Sequence, residues 1–241
     1  MAQLQFIVDG GHRLSGTVRP AGNKNAALPI VASALLTDQP VFLENVPRIR
    51  DVETLVDLVR SVGAAAEWTG RNSLRIEARE VRPADLDPVL CAKIRASILL
   101  AGPLLARCGE VILPPPGGDV IGRRRVDTHF LAFERLGAHY EVGERFVVRA
   151  PALSGADILL DEPSVTGTEN ALCAAVAARG TTILRNAASE PHVQDHCRML
   201  VAMGARIEGS GPNTLTVHGG TPQLGCTHAI GPDHIEVGSF I

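Results

Sequence analysis

Two hydrophobic periodicities divide this chain of 241 residues. Stretches in which apolar and polar residues alternate predict strands, because successive side chains of a strand point to opposite faces of its sheet. Longer stretches rich in Ala, Leu and Val predict helices. The predicted strands are residues 41–45, a stretch around Glu67, and residues 74–78, 110–113, 145–150, 181–186 and 214–217. The predicted helices are residues 23–36, capped by Asn23 or Asn25, and residues 52–62, 92–105, 126–136, 167–178 and 193–203.

These elements recur as three copies of one unit. The marker of the repeat is a valine, a residue three positions later and a Gly-Ala pair: Val52, Leu55 and Gly63; Val126, His129 and Gly137; Val193, His196 and Gly204. Glycine directly after the last helical turn favours left-handed backbone, so each Gly-Ala is predicted to end a helix. The spacing suits βαβ-type subdomains, which bury their helices together under outward-facing sheets.

The two ends of the chain follow other patterns. Residues 3–8 and 14–18 alternate and predict a hairpin or two strands. Residues 220–233 are rich in turn formers and predict a link out of the repeat region. The last apolar stretch, residues 235–241, begins an element without completing it, so we expect further chain beyond Ile241.

The composition narrows the class of protein. With 45% hydrophobic and 20% charged residues, the chain is predicted to be globular. Aromatic residues make up only 3%, which disfavours stacking platforms for single-stranded nucleic acid. The net charge of −3 also argues against a general nucleic-acid binder. An anionic ligand would therefore have to be held by a local cluster of cations.

The termini and the cysteines indicate a cytoplasmic protein. No basic segment followed by an apolar run opens the sequence, and no apolar stretch reaches the roughly 18 residues of a membrane span. Five cysteines occur without a CxxC pair: Cys91, Cys108, Cys173, Cys197 and Cys226. Buried reduced thiols are therefore favoured over disulfides or a metal site.

One loop concentrates the polar chemistry. Three prolines and two glycines at residues 114–118 exclude a regular element, because proline lacks an N–H group and glycine permits positive φ. Asp119 and the consecutive Arg123, Arg124 and Arg125 follow, which places a proton-carrying group beside cations suited to phosphate or carboxylate. A solvated irregular turn is the alternative interpretation.

Five motifs, in order along the chain, resemble those of the enolpyruvyl transferases. They are Gly22-Asn23-Lys24-Asn25-Ala-Ala-Leu-Pro, Lys93-Ile-Arg95-Ala-Ser97, residues 113–129, Ser164-Val165-Thr-Gly167-Thr-Glu-Asn and Pro232-Asp233-His-Ile-Glu236-Val-Gly238. The shikimate-pathway branch of the family opens with a Gly-Ser-Lys-Ser type motif. The Gly-Asn-Lys-Asn found here favours the branch that acts on a nucleotide sugar.

The resemblance implies an α/β (α+β) fold, an inside-out αβ barrel in which each domain has three βαβαββ-like units. Residues 22–231 would form one complete three-repeat domain that binds the UDP-sugar, with the active-site loop at residues 114–125. Residues 1–21 would be strands of a second, incomplete domain, and residues 232–241 its continuation. The partner missing from this chain would be the C-terminal domain of the same protein, across the active-site cleft.

The resemblance also implies an activity, the transfer of enolpyruvyl from phosphoenolpyruvate to the 3-hydroxyl of UDP-N-acetylglucosamine in peptidoglycan precursor synthesis. It implies no cofactor and no metal. Lys24, Asp119 and Arg124 match catalytic positions. Positions implied to bind substrate are Lys24, Asn25, Arg95, Arg124, Arg125, Val126, Asp127, His129, Ser164, Val165 and Gly167.

Several of these residues have structural alternatives. A helix cap is the structural alternative for Asn25, which matches the family position that meets sugar and phosphate. His129 shares its repeat position with Leu55, so packing is an alternative to substrate binding. The amides at the start of the helix at Gly167 would suit an anion. Of the three arginines, Arg124 is the favoured ligand, and Arg123 and Arg125 are expected to be solvated.

Asp119 departs from the family pattern, since most members carry a cysteine there. Both groups can donate a proton, but an Asp donor near neutral pH needs a raised pKa, which we expect loop closure to supply. A carboxylate is a poor nucleophile towards the epoxide fosfomycin, which alkylates the family's cysteine, so insensitivity is expected.

Two other functions remain open from the sequence. One is a noncatalytic module that binds a UDP-sugar or a partner, and the other is the shikimate-pathway transferase. As an isolated chain, residues 1–241 are expected to bind sugar nucleotide weakly at most and to have no transferase turnover.

Overall fold

Three small sheets and the helices that join their strands make up the fold. The computed structural model describes residues 5–13, 15–118 and 125–241, without the side chain of Asp85. Helix α1 (Lys24–Ser33) begins the first unit and is capped by Asn23, whose Oδ1 accepts a hydrogen bond of 3.0 Å from the Ala26 amide. The unit continues with the 3-10 turn Ala34–Leu36, β1 (Val41–Glu44), α2 (Arg50–Ser61), β2 (Ala65–Trp68) and β3 (Leu74–Glu77).

The second unit differs from the single helix predicted at its start. It comprises the 3-10 turn Pro83–Asp85, α3 (Pro88–Cys91), the 3-10 helix Arg95–Leu100, α4 (Ala101–Cys108), β4 (Glu110–Leu113), α5 (Asp127–Arg135), β5 (His139–Val142) and β6 (Phe146–Arg149). The prediction of one helix over residues 92–105 is therefore wrong. The chain is extended at Ile94 (φ −134°, ψ 140°), so Lys93 and Arg95 do not lie on one continuous helix.

The third unit follows the predicted order more closely. It comprises β7 (Asp157–Leu159), α6 (Val165–Ala177), β8 (Thr181–Arg185), α7 (Pro191–Ala202), β9 (Arg206–Glu208) and β10 (Thr214–His218), and the chain ends with β11 (Thr227–Ala229) and α8 (His234–Phe240). The predicted glycine caps are confirmed in all three units. Gly63, Gly137 and Gly204 have φ values of 104°, 97° and 102°, in the left-handed region that favours glycine.

The sheets repeat one strand order. The first runs β11-β1-β3-β2, the last runs β7-β8-β10-β9, and between them lies the shorter β4-β6-β5. Strand β11 pairs parallel to β1 just as β7 pairs parallel to β8. The predicted link at residues 220–233 thus contains a strand that was not predicted. Part of this segment completes the first sheet, in the position that β7 holds in the last.

Helices α1, α4 and α6 form the inner layer. The 3-10 helix Arg95–Leu100 contacts all three, and α6 also contacts α1 and α4 directly. Their residues are buried nearly all round, from Ala26 to Ser33 in α1 and from Gly167 to Val176 in α6. Alternate side chains of the strands, such as Val41 and Leu43, complete this core.

Residues 22 and 232, at the two boundaries of the repeat region, lie side by side. Gly22 and Pro232 form an isolated antiparallel bridge, and the Asn23 amide donates to the Gly231 carbonyl at 2.8 Å. Within the described part of residues 1–21 no strand forms, and Phe6 is 98% exposed. The predicted N-terminal hairpin is thus not found there, because no strand of the described chain pairs with it.

Candidate functional site

A cavity of ≈ 220 Å³ lies where α1 and α6 begin and the chain bends before the 3-10 helix Arg95–Leu100. Segments that are distant in sequence thus come together around this cavity. The cavity is lined by Lys24, Asn25, Leu28, Asp51, Lys93, Ile94, Arg95, Ala96, Leu99, Gly118, Val165, Thr166 and Glu169.

The charged side chains of this cavity favour an anion. Lys24, Lys93 and Arg95 are cations, and Asp51 carries the opposing charge. Lys24 is the first residue of α1, and its Nζ lies 2.6 Å from Oδ2 of Asp51. Both side chains are near 40% exposed, so water and a ligand can compete for the pair.

Asn25 also lies at the cavity, on the first turn of α1. Because Asn23 caps the helix, Asn25 is not needed as the cap. Its side chain is exposed, which leaves the amide available to a ligand. The alternative of a helix cap at Asn25 is therefore wrong.

The described start of the loop packs against the bend at residues 91–95. The Gly117 amide donates to the Cys91 carbonyl at 3.0 Å, and Gly118 has φ of 92°. A Cβ on Gly117 would lie 1.7 Å from the Ala92 carbonyl oxygen, so this close approach requires glycine. Asp119, Arg123 and Arg124 lie outside the described residues, and the roles predicted for them stay predictions.

Arg125 is engaged by protein carboxylates. Its Nε donates to both oxygens of Asp127 at 2.9 Å, its Nη2 pairs with Asp161, and its carbonyl accepts from Arg95 Nη2 at 3.0 Å. The hydrogen bonds that it donates to Asp127 and then to Asp161 raise the pKa of the guanidinium above its ordinary value. Arg125 is exposed, as expected, but its guanidinium is paired with two carboxylates that follow the loop in sequence.

Val126 and Asp127 open onto a second cavity, distinct from the first. It has a volume of ≈ 350 Å³ and is lined by Arg125, Val126, Asp127, Phe130, Tyr140, Val142 and Phe146. The Phe130 and Tyr140 rings stack at 5.0 Å between centroids. This cavity thus offers aromatic surface next to an ion pair, and it takes Arg125, Val126 and Asp127 from the predicted substrate-binding residues.

The start of α6 is capped by its own side chain. Ser164 Oγ accepts from the Gly167 amide at 3.2 Å, and the Ser164 carbonyl accepts from the Thr168 amide. Ser164 thus occupies the Gly167 amide, and the expectation that the amides at the start of this helix suit an anion stays a prediction. Val165 and Thr166 line the cavity in its place.

His129 lies in the core, with 1% of its surface exposed. Its Nδ1 accepts from Asn170 Nδ2 at 2.8 Å, which leaves the ring proton on Nε2 to donate to Thr166 Oγ1 at 3.1 Å. Burial, with the nearby charge of Arg95, lowers its pKa to about 3. The structure thus favours packing over direct substrate contact: His129 holds Thr166, which itself faces the cavity.

Three charged cavity residues are not among the predicted site residues: Lys93, Asp51 and Glu169. Glu169 is the only carboxylate within the buried run of α6, which is otherwise Ala-rich, and this mismatch of a charged residue with an apolar helix was the available signal. Lys93 can be recognised as a cavity residue only when the extended backbone at Ile94 is known, because the predicted helix over residues 92–105 hides that bend.

The part of the chain that the structure describes has neither a membrane-spanning helix nor a metal-binding cluster. None of its helices is long and apolar enough to cross a membrane. No cluster of three or more His, Cys, Asp or Glu side chains in it is arranged to hold a metal ion.

Comparison with known proteins identifies close relatives. The family model described as EPSP synthase (3-phosphoshikimate 1-carboxyvinyltransferase) matches residues 8–241. UDP-N-acetylglucosamine 1-carboxyvinyltransferase of Bradyrhizobium diazoefficiens is 70% identical over 241 residues, which is 100% of this chain and 56% of the relative. The protein of the same name from Treponema denticola is 52% identical over 237 residues, 98% of this chain and 56% of the relative. The chain spans about half the length of the curated relatives it matches.

Solved structures agree with this finding. The enolpyruvyl transferase NikO from Streptomyces tendae superposes with a TM-score of 0.82 at 27% identity, over 96% of this chain and 55% of that one. EPSP synthase from Acinetobacter baumannii has a TM-score of 0.72 at 19% identity, over 93% and 51% of the two chains, and shows the fold alone. The predicted α/β fold of the enolpyruvyl transferase type is confirmed.

Proposed function

Because the chain belongs to the EPSP synthase family of enolpyruvyl transferases, we propose that the whole protein transfers enolpyruvyl from phosphoenolpyruvate to the 3-hydroxyl of UDP-N-acetylglucosamine. The observation that carries this proposal is the convergence of Lys24, Lys93 and Arg95 on one cavity beside Asn25. Peptidoglycan precursor synthesis is the process that this product serves.

The reaction sets the requirements of the site. The acceptor hydroxyl loses a proton and its oxygen bonds to C2 of phosphoenolpyruvate, while C3 gains a proton. The C2–O bond to phosphate then breaks and C3 loses a proton, so that inorganic phosphate leaves and the vinyl group is restored. Cations that hold the phosphate and carboxylate stabilise both charged stages.

The described residues divide these roles as follows. Lys24, Lys93 and Arg95 bind the anionic groups, and Asn25 orients the ligand through its exposed amide. Arg125 and Asp127, with Val126, form the edge of the aromatic cavity, which suits the uridine part of the acceptor. Asp119 is the proton donor and Arg124 a further cation, on the ground of the sequence motif.

The proposal includes an arrangement of domains. Residues 22–231 form one domain, and residues 1–21 and 232–241 belong to a second domain that closes the cleft. This arrangement is supported by the bridge between Gly22 and Pro232 and by the exposed apolar residues outside it, such as Phe6 and Phe240. We further propose a cytoplasmic location, which the five unpaired cysteines favour.

The test uses the full-length protein that carries this chain. With phosphoenolpyruvate and UDP-N-acetylglucosamine, mass spectrometry should detect the enolpyruvyl product in equal amount to released phosphate, and 3-phosphoshikimate should not replace the sugar nucleotide. Turnover with 3-phosphoshikimate alone would instead assign the shikimate-pathway activity. Binding of the sugar nucleotide without any turnover would identify a noncatalytic module.

A further inference from the structure

Glu169 is a buried acid at the cavity that holds the three cations. It lies on α6, with 1% of its surface exposed, and it lines the same wall as Val165 and Thr166. Its Oε1 is buried without a hydrogen-bond partner among the described residues. A buried polar atom left without a partner costs about 1 to 3 kcal/mol, so the Glu169 carboxyl destabilises the ligand-free protein.

The surroundings of Glu169 favour its uncharged form. Burial, and after it the charge of Glu190 at the start of α7, raises the pKa of Glu169 well above its ordinary value. Its neighbours Cys173 and Cys197 are themselves neutral thiols, since burial raises their pKa values to about 12 and about 11. An uncharged carboxyl carries one O–H donor, which a carboxylate lacks.

The other charged groups at the cavity favour a bound anion. Lys24, Lys93 and Arg95 attract anions, while Asp51 opposes them. A ligand with two or more negative charges neutralises these cations and disfavours ionisation of a nearby acid. The same ligand supplies oxygen acceptors for the O–H group.

We propose that Glu169 is a substrate-contacting residue of this cavity, whose carboxyl group donates a hydrogen bond to an oxygen of the bound phosphate or carboxylate. The ligand then completes the hydrogen bonding that the protein leaves unfinished. Hydrogen bonds to charged groups are worth more than neutral ones, so the contact adds affinity as well as orientation. The identification of the ligand as phosphoenolpyruvate rests on the proposed function.

The test titrates inorganic phosphate and phosphoenolpyruvate into the full-length protein and its variants by calorimetry. In Glu169→Gln the amide keeps a donor and cannot ionise, and in Glu169→Leu the side chain has none. We expect Glu169→Gln to bind both anions within about 3-fold of wild type and Glu169→Leu to bind them about 10-fold or more weakly.

Thr182 provides a matched control. Its Oγ1 is also buried without a partner among the described residues, but it lies on β8 and does not line the cavity. Thr182→Val should therefore leave the affinity for both anions unchanged. If Glu169→Leu fails to fold, as judged by thermal melting, Glu169→Met takes its place with the same expectation.

Two results would overturn the proposal. Anion binding within about 2-fold of wild type in the folded Leu or Met variant would show that Glu169 makes no contact. Equal weakening in the Gln and Leu variants would exclude the donor role. The outcome is separate from the proposed function, because anion binding is measured directly while enolpyruvyl transfer has its own readout.

Discussion

Lys24 Nζ and Asp51 Oδ2 lie 2.6 Å apart at the cavity, so the lysine of the opening motif is paired with a protein carboxylate in the absence of a ligand. The pair joins the start of α1 to the first turn of α2. An anion that binds Lys24 must compete with Asp51, and the pair therefore sets the electrostatic cost of occupying the cavity.

Asp51→Asn is expected to strengthen binding of inorganic phosphate by about 2- to 5-fold, because it removes a partly exposed negative charge that competes for Lys24. Calorimetry on the full-length protein measures this change. Asp57→Asn is the matched control, since Asp57 lies on the same helix but pairs with Arg60 away from the cavity. Weaker phosphate binding in Asp51→Asn would mean that Asp51 is needed to position Lys24.

Two buried histidines make the stability of the domain depend on pH. His129 and His196 occupy one repeat position, and burial lowers the pKa of each to about 3. Because the unfolded state takes up a proton near pH 6.5 and the folded state does not, the free energy of unfolding should fall as pH drops from 6.5 towards 3. Each histidine contributes up to roughly 1.4 kcal/mol per pH unit in that range.

The double variant His129→Leu and His196→Leu should have a shallower pH dependence, measured by urea unfolding at pH 7.5 and about pH 5. Leucine is the natural residue at this repeat position in the first unit, where Leu55 is fully buried. His139→Gln on exposed β5 is the control and should keep the wild-type slope. An unchanged slope in the double variant would show that these histidines do not carry the effect.

The parts of the fold that sequence predicts best are those decided by local backbone. The glycines Gly63, Gly137 and Gly204 were found because left-handed backbone after a helix is a local requirement. Strand β11 was missed because its three residues gain a sheet position only by pairing with β1, far away in sequence. The helix over residues 92–105 was overextended because an apolar run does not by itself distinguish an α-helix from a 3-10 helix with an extended residue before it.

Some residues of the candidate site could likewise be predicted from local motifs, and others could not. Lys24, Asn25, Arg95 and Val165 were found from motifs, and the structure brings them to one cavity. Lys93 and Asp51 join them through tertiary packing, whereas Glu169 had a local signal, a carboxylate within an apolar helix. At the start of α6 the Gly167 amide is bound by the Ser164 side chain, and the anion-binding role expected of the amides at this helix start stays a prediction.

Asp195 holds residues 228–231, which lead out of the domain, by hydrogen bonds. Its carboxylate accepts from the Gly231 amide at 2.9 Å, from His228 Nε2 at 3.2 Å and from Arg198 Nη2 at 3.0 Å. Asp195→Ala should lower the free energy of unfolding by about 2 to 4 kcal/mol, because it leaves buried donors without an acceptor. Urea unfolding measures the loss.

Asp157→Ala provides the comparison, since Asp157 pairs with Arg185 on an exposed surface and should change the unfolding midpoint far less. Hydrogen exchange should also become faster at the Gly231 amide in Asp195→Ala. Equal stability losses in the two variants would contradict the role of the Asp195 hydrogen bonds in stabilising the domain.

Asp119 leads to a prediction about covalent inhibition. Fosfomycin alkylates a thiolate, and a carboxylate is a much weaker nucleophile, so the full-length protein should keep its activity on prolonged exposure. Asp119→Cys should gain time-dependent inactivation with a covalent adduct on that residue, detected by peptide mass spectrometry. An adduct on Asp119 of the wild-type protein would contradict the prediction.

The most direct test of the account is the release of phosphate from phosphoenolpyruvate by the full-length protein, compared with its Lys24→Gln variant. We expect wild-type release to depend on added UDP-N-acetylglucosamine, and Lys24→Gln to reduce the rate by roughly 100-fold, since a charge-assisted contact to the reacting anion is lost. Arg60→Gln, on the exposed face of α2, should retain the full rate. Release at the wild-type rate in Lys24→Gln would contradict the claim that this cavity holds the reacting anion.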